Sequence, residues 1–342
     1  MRAKKHIPPL PPQTVSRPVS VFKKDISVHR AFVYGASAPG VGEYYAGTRL
    51  RGLITALVFV FFSAWFTWLL IEIAGGIMDR IFGSLNSMTP AALPQISFVS
   101  PAIAFFGMYF IWLWAMIDAV DVAVEHRRKT AVAPQTSPFW ATVISWFCPG
   151  AGQVYTGERR FGYLLFAVYL MTILLTVPVY VHLVQGIVGL VKSGQLSSDR
   201  PLGVIDIIHG LITRTNYSFG KLLQAFVRYF AVAAAIDALG QGQLKTDTRW
   251  SNPSTAGAAA LAGLSWLYPG AGQLLQARRQ FGWYFLTGYI GSRSLIALLL
   301  GSNLITVVQA DTAGWIPVIV QWGAVAEALI WMMTNRRRQS SS

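Results

Sequence analysis

Apolar stretches long enough to cross ~30 Å of hydrocarbon, about 20 residues each, recur along this chain in pairs. The first of each pair, segment B, covers Leu53 to Ile73, Phe161 to Val181 and Phe281 to Leu300. The second, segment C, covers Pro101 to Val124, Phe219 to Leu239 and Trp315 to Thr334. Ahead of each B lies a shorter apolar segment A, clearest at Phe139 to Cys148 and Ala256 to Tyr268. The pattern predicts six spanning helices and three shorter ones. Two amphipathic stretches after B put Ile77, Met78, Ile81, Phe82 and Leu85, and Leu202, Ile205, Ile208, Leu211 and Ile212, on single helical faces, as expected of helices lying flat on the outer surface. The third connection, Gly301 to Gly314, is too short for much of this.

Every A runs into the same glycine-rich phrase. The copies begin Pro39-Gly40-Val-Gly42-Glu43, Pro149-Gly150-Ala-Gly152-Gln153 and Pro269-Gly270-Ala-Gly272-Gln273, and close on Arg49 and Gly52, Arg159 and Gly162, and Arg279 and Gly282. The internal spacing is kept without a gap at intervals of 110 and 120 residues, which implies three related units in tandem. The expected organisation is a basic, proline-rich tail over 1–30, units over 31–130, 131–249 and 250–342, and a basic C-terminal tail on the last. Proline removes an amide donor and glycine admits conformations closed to other residues, so Pro39, Gly40, Gly42, Pro149, Gly150, Gly152, Pro269, Gly270 and Gly272 are read as hinges. A packing turn and a ligand cradle of backbone amides are both open at this point.

Composition agrees with a membrane protein, at 54% hydrophobic and 12% charged residues. The first 30 residues carry seven basic side chains and no apolar core, so no signal peptide is expected. Sidedness follows from charge, because Lys and Arg concentrate on the cytoplasmic side. If A turns back without crossing, 21 of the 28 basic residues fall on the cytoplasmic side and five outside; if A crosses, the tally is 12 against 14. The expectation is therefore an all-α integral membrane protein with three repeats, each a re-entrant or interfacial half-helix plus two transmembrane helices. It is multi-pass in a bacterial inner membrane, with both termini cytoplasmic. The net charge of +14 reads as attraction to anionic lipid headgroups, not to nucleic acid.

Ionisable groups inside the spans are the candidate chemistry. Asp118-Ala119, Asp237-Ala238 and Glu327-Ala328 recur in segment C, each acid 8 or 9 positions before the next basic residue. That is about 12 to 14 Å along a helix, below the cytoplasmic interface. The expected partners are the arginines opening segment B: Arg49 with Asp118, Arg159 with Asp237 and Arg279 with Glu327, each bridge clamping one unit. The rival reading has the acids binding a proton or sodium ion for transport, with Asp121 as a second carboxylate in the first unit. Arg228 and Arg293 have no counterparts in the other units and are expected to face protein or a wet cavity. The lone cysteine, Cys148, reads as packing. The histidines (His6, His29, His126, His182 and His209) have no metal spacing, and no nucleotide loop or nucleophile elbow is present. No enzyme activity, cofactor or metal is therefore expected.

At the phrase Pro149-Gly-Ala-Gly-Gln-Val-Tyr-Thr-Gly-Glu-Arg-Arg-Phe-Gly162, and at the Ile-Asp-Ala endings Ile117–Ala119 and Ile236–Ala238, the chain resembles the small bacterial membrane hairpins of the TM-two type and their Pro-Gly-x-Gly-Gln relatives. The third copy departs from the pattern with Leu275, Ala277 and Glu327. The resemblance implies a multi-span helical protein of the inner membrane and carries over no activity. Three parallel units suggest a pseudo-threefold bundle. The expected function is a scaffold or accessory subunit holding a membrane-protein partner; the alternative is a transporter or channel using the repeated acids.

Overall fold

The computed structural model describes residues 26–87, 99–132, 136–192, 217–246, 255–302 and 304–340, and no strand occurs among them. In chain order the helices are α1 (Val28–Ser37), α2 (Val41–Tyr45), α3 (Arg49–Ser87), α4 (Val99–Lys129), α5 (Pro138–Phe147), α6 (Ala151–Tyr155), α7 (Arg159–Lys192), α8 (Tyr217–Thr246), α9 (Thr255–Leu267), α10 (Ala271–Leu275), α11 (Arg279–Gly301), α12 (Val307–Ala313) and α13 (Trp315–Ser340). The proline-rich stretch 1–25 and the amphipathic segment Leu202–Ile212 lie outside the described residues.

Local chemistry explains the short helices. Ser27 and Ser137 cap α1 and α5 by accepting the amides of Arg30 and Trp140, and Pro138 occupies a first-turn position where its missing N–H is harmless. Both helices stop at an extended residue, Ala38 or Cys148, followed by proline and then a glycine in the left-handed region. At ten residues in α1 and α5 and 13 in α9, they reach about 15 to 20 Å, less than the hydrocarbon thickness. The phrase's tyrosine brings the chain back: Tyr45 Oη accepts the Ser27 amide at 3.2 Å and Tyr155 Oη accepts the Ser137 amide at 3.0 Å. The end of α2 thus lies beside the start of α1, and the end of α6 beside the start of α5. In the third copy Leu275 stands at this place.

Among the described residues, five stretches are long and apolar enough to cross a membrane: Arg49–Gly76, Val99–Lys129, Arg159–Pro178, Leu223–Thr246 and Val307–Thr334. The protein is therefore an all-α, multi-pass membrane protein. The expected sixth span, in α11, is not among them. Trp283, Tyr284, Tyr289, Ser292, Arg293, Ser294 and several glycines dilute its apolar character. The separate surface helix expected at Ile77 to Leu85 is also corrected, because α3 continues through it unbroken for 39 residues, about 58 Å at 1.5 Å per residue. In the third connection, α12 forms behind a capping box in which Thr306 and Gln309 each satisfy the other's backbone amide.

The C helices organise the packing. Helix α4 packs on α1 and α3 and also on α6 and α7; α8 packs on α5 and α7 and also on α10 and α11; α13 packs on α9 and α11. Among the described residues, extensive packing between α1–α4 and α9–α13 is not found. Contacts among the described residues thus run from α1–α4 through α5–α8 to α9–α13, without the closure that the expected threefold bundle needs. Small side chains allow this closeness: Ala115, Ala119 and Ala123 of α4, and Ala233, Ala234 and Ala238 of α8, are all fully buried.

Candidate functional site

Each glycine of the phrase sits where one backbone meets another. Gly40, Gly150 and Gly270 have φ of 93°, 100° and 94°, a region that L side chains rarely adopt. A Cβ on any of them would strike the carbonyl of Gly52, Gly162 or Gly282 at the start of the following long helix. Gly42 and Gly152 press against Ala119 and Ala238, the alanines following the repeated acids, while Gly272 is closed in by Ser265 and Leu261. These glycines are occupied by helix contact.

This contact delivers the next residue of the phrase to the acids. Gln153 is fully buried, accepts from Ser145 Oγ at 3.2 Å, and donates through Nε2 to Ala234 O at 2.7 Å and to Asp237 Oδ2 at 2.9 Å. Gln273 repeats the arrangement, accepting from Ser265 Oγ at 3.2 Å and donating to Ala324 O at 2.6 Å and Glu327 Oε2 at 3.0 Å. Both glutamines thus have their amide oxygen and nitrogen satisfied in a dry setting. They are the acid partners that sequence reasoning missed, although their fixed place in the phrase was a usable signal.

The arginines bind in a different register from the one expected. Arg279 does not pair with Glu327: its Nε and Nη2 grip Asp237 Oδ1 and Oδ2 at 2.9 and 3.1 Å, its Nη1 donates to Glu158, and its guanidinium lies 4.1 Å over the Phe161 ring. Arg159 pairs with Asp121 at 2.7 Å instead of Asp237, and Tyr163 Oη donates to the same oxygen at 3.0 Å. These two arginines tie α7 to α4 and α11 to α8, so each bridges from one segment of the chain to the segment before it. Asp118 is approached by Arg51 Nη2 at 2.6 Å, without hydrogen-bond alignment, while Arg49 lies over the Tyr44 ring. Glu327 is held by Arg278, which sits between the rings of Phe281 and Trp331. The physical reason is helical phase: paired basic residues at each helix start point in different directions, and the C helices α4 and α8 each have B helices on two sides.

The remaining candidates are dispersed. Arg293 is exposed, donates to Tyr289 Oη at 3.0 Å and lines a cleft of about 920 Å³ with Asp311 and Gln321, in keeping with a wet setting. Arg228 is exposed on α8 among the described residues. Cys148 is fully buried with its thiol directed at Leu113 O, 3.5 Å away, and burial pushes its pKa up. Among the described residues, no group of three or more His, Cys, Asp or Glu is placed to hold a metal ion. No protein-family model, curated protein or solved structure matches this chain.

Proposed function

We propose that the chain is a non-enzymatic scaffold or accessory subunit of a larger assembly in a bacterial inner membrane, built from three tandem units with both termini in the cytoplasm. Its segments A are re-entrant half-helices. Their length, and the return of the phrase tyrosines to the serines that start α1 and α5, support a chain that turns back on the side it entered. Segment α11, though less apolar than the others, completes the sixth crossing, since the positive-inside balance needs it.

The observation that carries the scaffold reading is the use made of the repeated acids. Asp118 and Asp237 are fully buried, and Asp237 has its oxygens occupied by Gln153 and Arg279. A carboxylate gripped in this way locks helix register and is poorly disposed to exchange a passing ion. The contacts it locks leave α3 with only 6% of its most apolar window buried among the described residues. Phe61 and Trp68 on that helix are 62% and 67% exposed. In a bilayer this face meets lipid or another membrane protein, and the latter is the proposed role.

Purification of the tagged chain from native membranes in mild detergent tests the reading. A stoichiometric integral-membrane partner is expected, and its yield should fall when Phe61 and Trp68 are both changed to alanine. A chain that purifies alone, and catalyses ion flux when reconstituted, would replace this reading with the transport one. Impermeant thiol labelling of a cysteine placed at Arg160 tests the topology: labelling from the periplasm would overturn it.

A further inference from the structure

We propose that Glu43 and Asp118 share one proton, making the first Pro-Gly turn a proton-binding site where the other two turns hold an amide against a carboxylate. Glu43 is the third residue of α2, the place that Gln153 has in α6 and Gln273 in α10. The backbone there is the same in all three: the carbonyl of Glu43 accepts the Thr48 amide at 3.0 Å, that of Gln153 the Glu158 amide at 2.8 Å, and that of Gln273 the Arg278 amide at 2.8 Å. The side chains therefore leave the turn from equivalent positions, and Asp118 is near enough for its charge to act on Glu43. Glu43 is fully buried, and the donors near its carboxyl group, its own backbone amide and Thr55, are not aligned as hydrogen bonds. The serines that donate to the two glutamines are absent too, because Gly35 stands where they would be.

The groups around Glu43 leave it uncompensated. Helix α1 meets the neighbouring Gly42 with the backbone of Ala31 and Gly35. Helix α3 presents Thr55 and Arg51, and α4 presents Asp118 with Asp121 one turn further on. Beyond them, Arg159 of α7 is taken by Asp121, and Arg51 is drawn to Asp118. Three buried carboxyl groups thus face two arginines, and one proton restores neutrality. A glutamine amide donates a hydrogen bond as it stands; a carboxyl group donates only when protonated. Uptake places a proton from water on one Glu43 oxygen, from which it is donated to Asp118, and release reverses the step. Burial first, then the neighbouring Asp118 charge, push Glu43 up to about 7, so the proton is held near neutral pH. The two carboxyls titrate as a pair.

The test uses the full chain in phospholipid nanodiscs, with infrared difference spectra and thermal unfolding followed from pH 5 to pH 9. The wild type should show a protonated carboxyl band below pH 7 that fades above it, and an unfolding temperature that falls between about pH 5 and pH 7 and is level above. Glu43→Gln should lose the band and flatten the temperature profile, matching the chemistry of the other two turns. Asp118→Asn, which restores an amide–carboxyl pair in reverse order, should lower the titration midpoint without returning it to the ordinary carboxylate range, because burial persists, and serves if Glu43→Gln accumulates poorly. An unchanged titration in both variants would overturn the proposal. So would restoration of the high-pH unfolding temperature by sodium chloride but not choline chloride, which would mark a metal-cation site.

Discussion

Arg279 gives the sharpest quantitative test, because the structure and the within-unit expectation assign it different partners. It donates twice to Asp237 and once to Glu158, and it covers Phe161. Asp237 is fully buried, so Arg279→Gln leaves a carboxylate held by Gln153 alone. Removing one member of a buried ion pair costs about 3 to 5 kcal/mol; the side chain of Arg279 is 20% exposed, which points to the lower end, about 3 kcal/mol. Equilibrium unfolding in mixed detergent micelles, run as two double-mutant cycles, separates the candidate partners. Arg279→Gln with Asp237→Asn should show a coupling of about 2 kcal/mol, and Arg279→Gln with Glu327→Gln should add within about 0.5 kcal/mol. A coupling to Glu327 equal to or larger than that to Asp237 would refute the cross-segment register and restore the within-unit clamp.

Other consequences can be checked with the same preparation. Ala277 sits at φ 56° where the first two copies have a left-handed Gly47 and Gly157, so Ala277→Gly should raise stability by roughly 1 kcal/mol, seen as a higher unfolding midpoint. Gly150→Ala combines that backbone strain with a collision against Gly162, and should abolish accumulation in the membrane, measured by quantitative immunoblot. Cys148, buried with a raised pKa, should resist membrane-permeant maleimide in the folded chain and react fully after denaturation. Because Glu43 holds a proton in the folded chain that the unfolded chain releases, stability should fall as pH rises from about 4.5 to about 7 and level off beyond. The drop, from the shift in its pKa, is about 3 kcal/mol, read from unfolding midpoints.

The helices and the turn were legible because their causes are local. Apolar runs forecast five of the spans, and the proline and glycines marked where segment A had to stop. The arginine partners were not legible: Arg49 and Arg51, or Arg278 and Arg279, are alternatives by sequence distance, and only the phase of each helix against two neighbours selects between them. Gln153 and Gln273 were in plain view at a fixed position of the phrase. Their role stayed hidden because a neutral amide carries no charge signal, and only tertiary contact with Ala234 and Ala324 shows where it points. The dilution of α11 by aromatics and serines was visible but outweighed by its length.

The backward reach of Arg159 and Arg279 has a consequence during synthesis. Asp121 leaves the ribosome before Arg159, and Asp237 before Arg279. A nascent chain that has made α8 but not yet α11 therefore lacks the arginine that neutralises Asp237, which invites extraction or proteolysis. Completion of the following segment removes that vulnerability, so that the order of translation itself becomes a checkpoint on assembly.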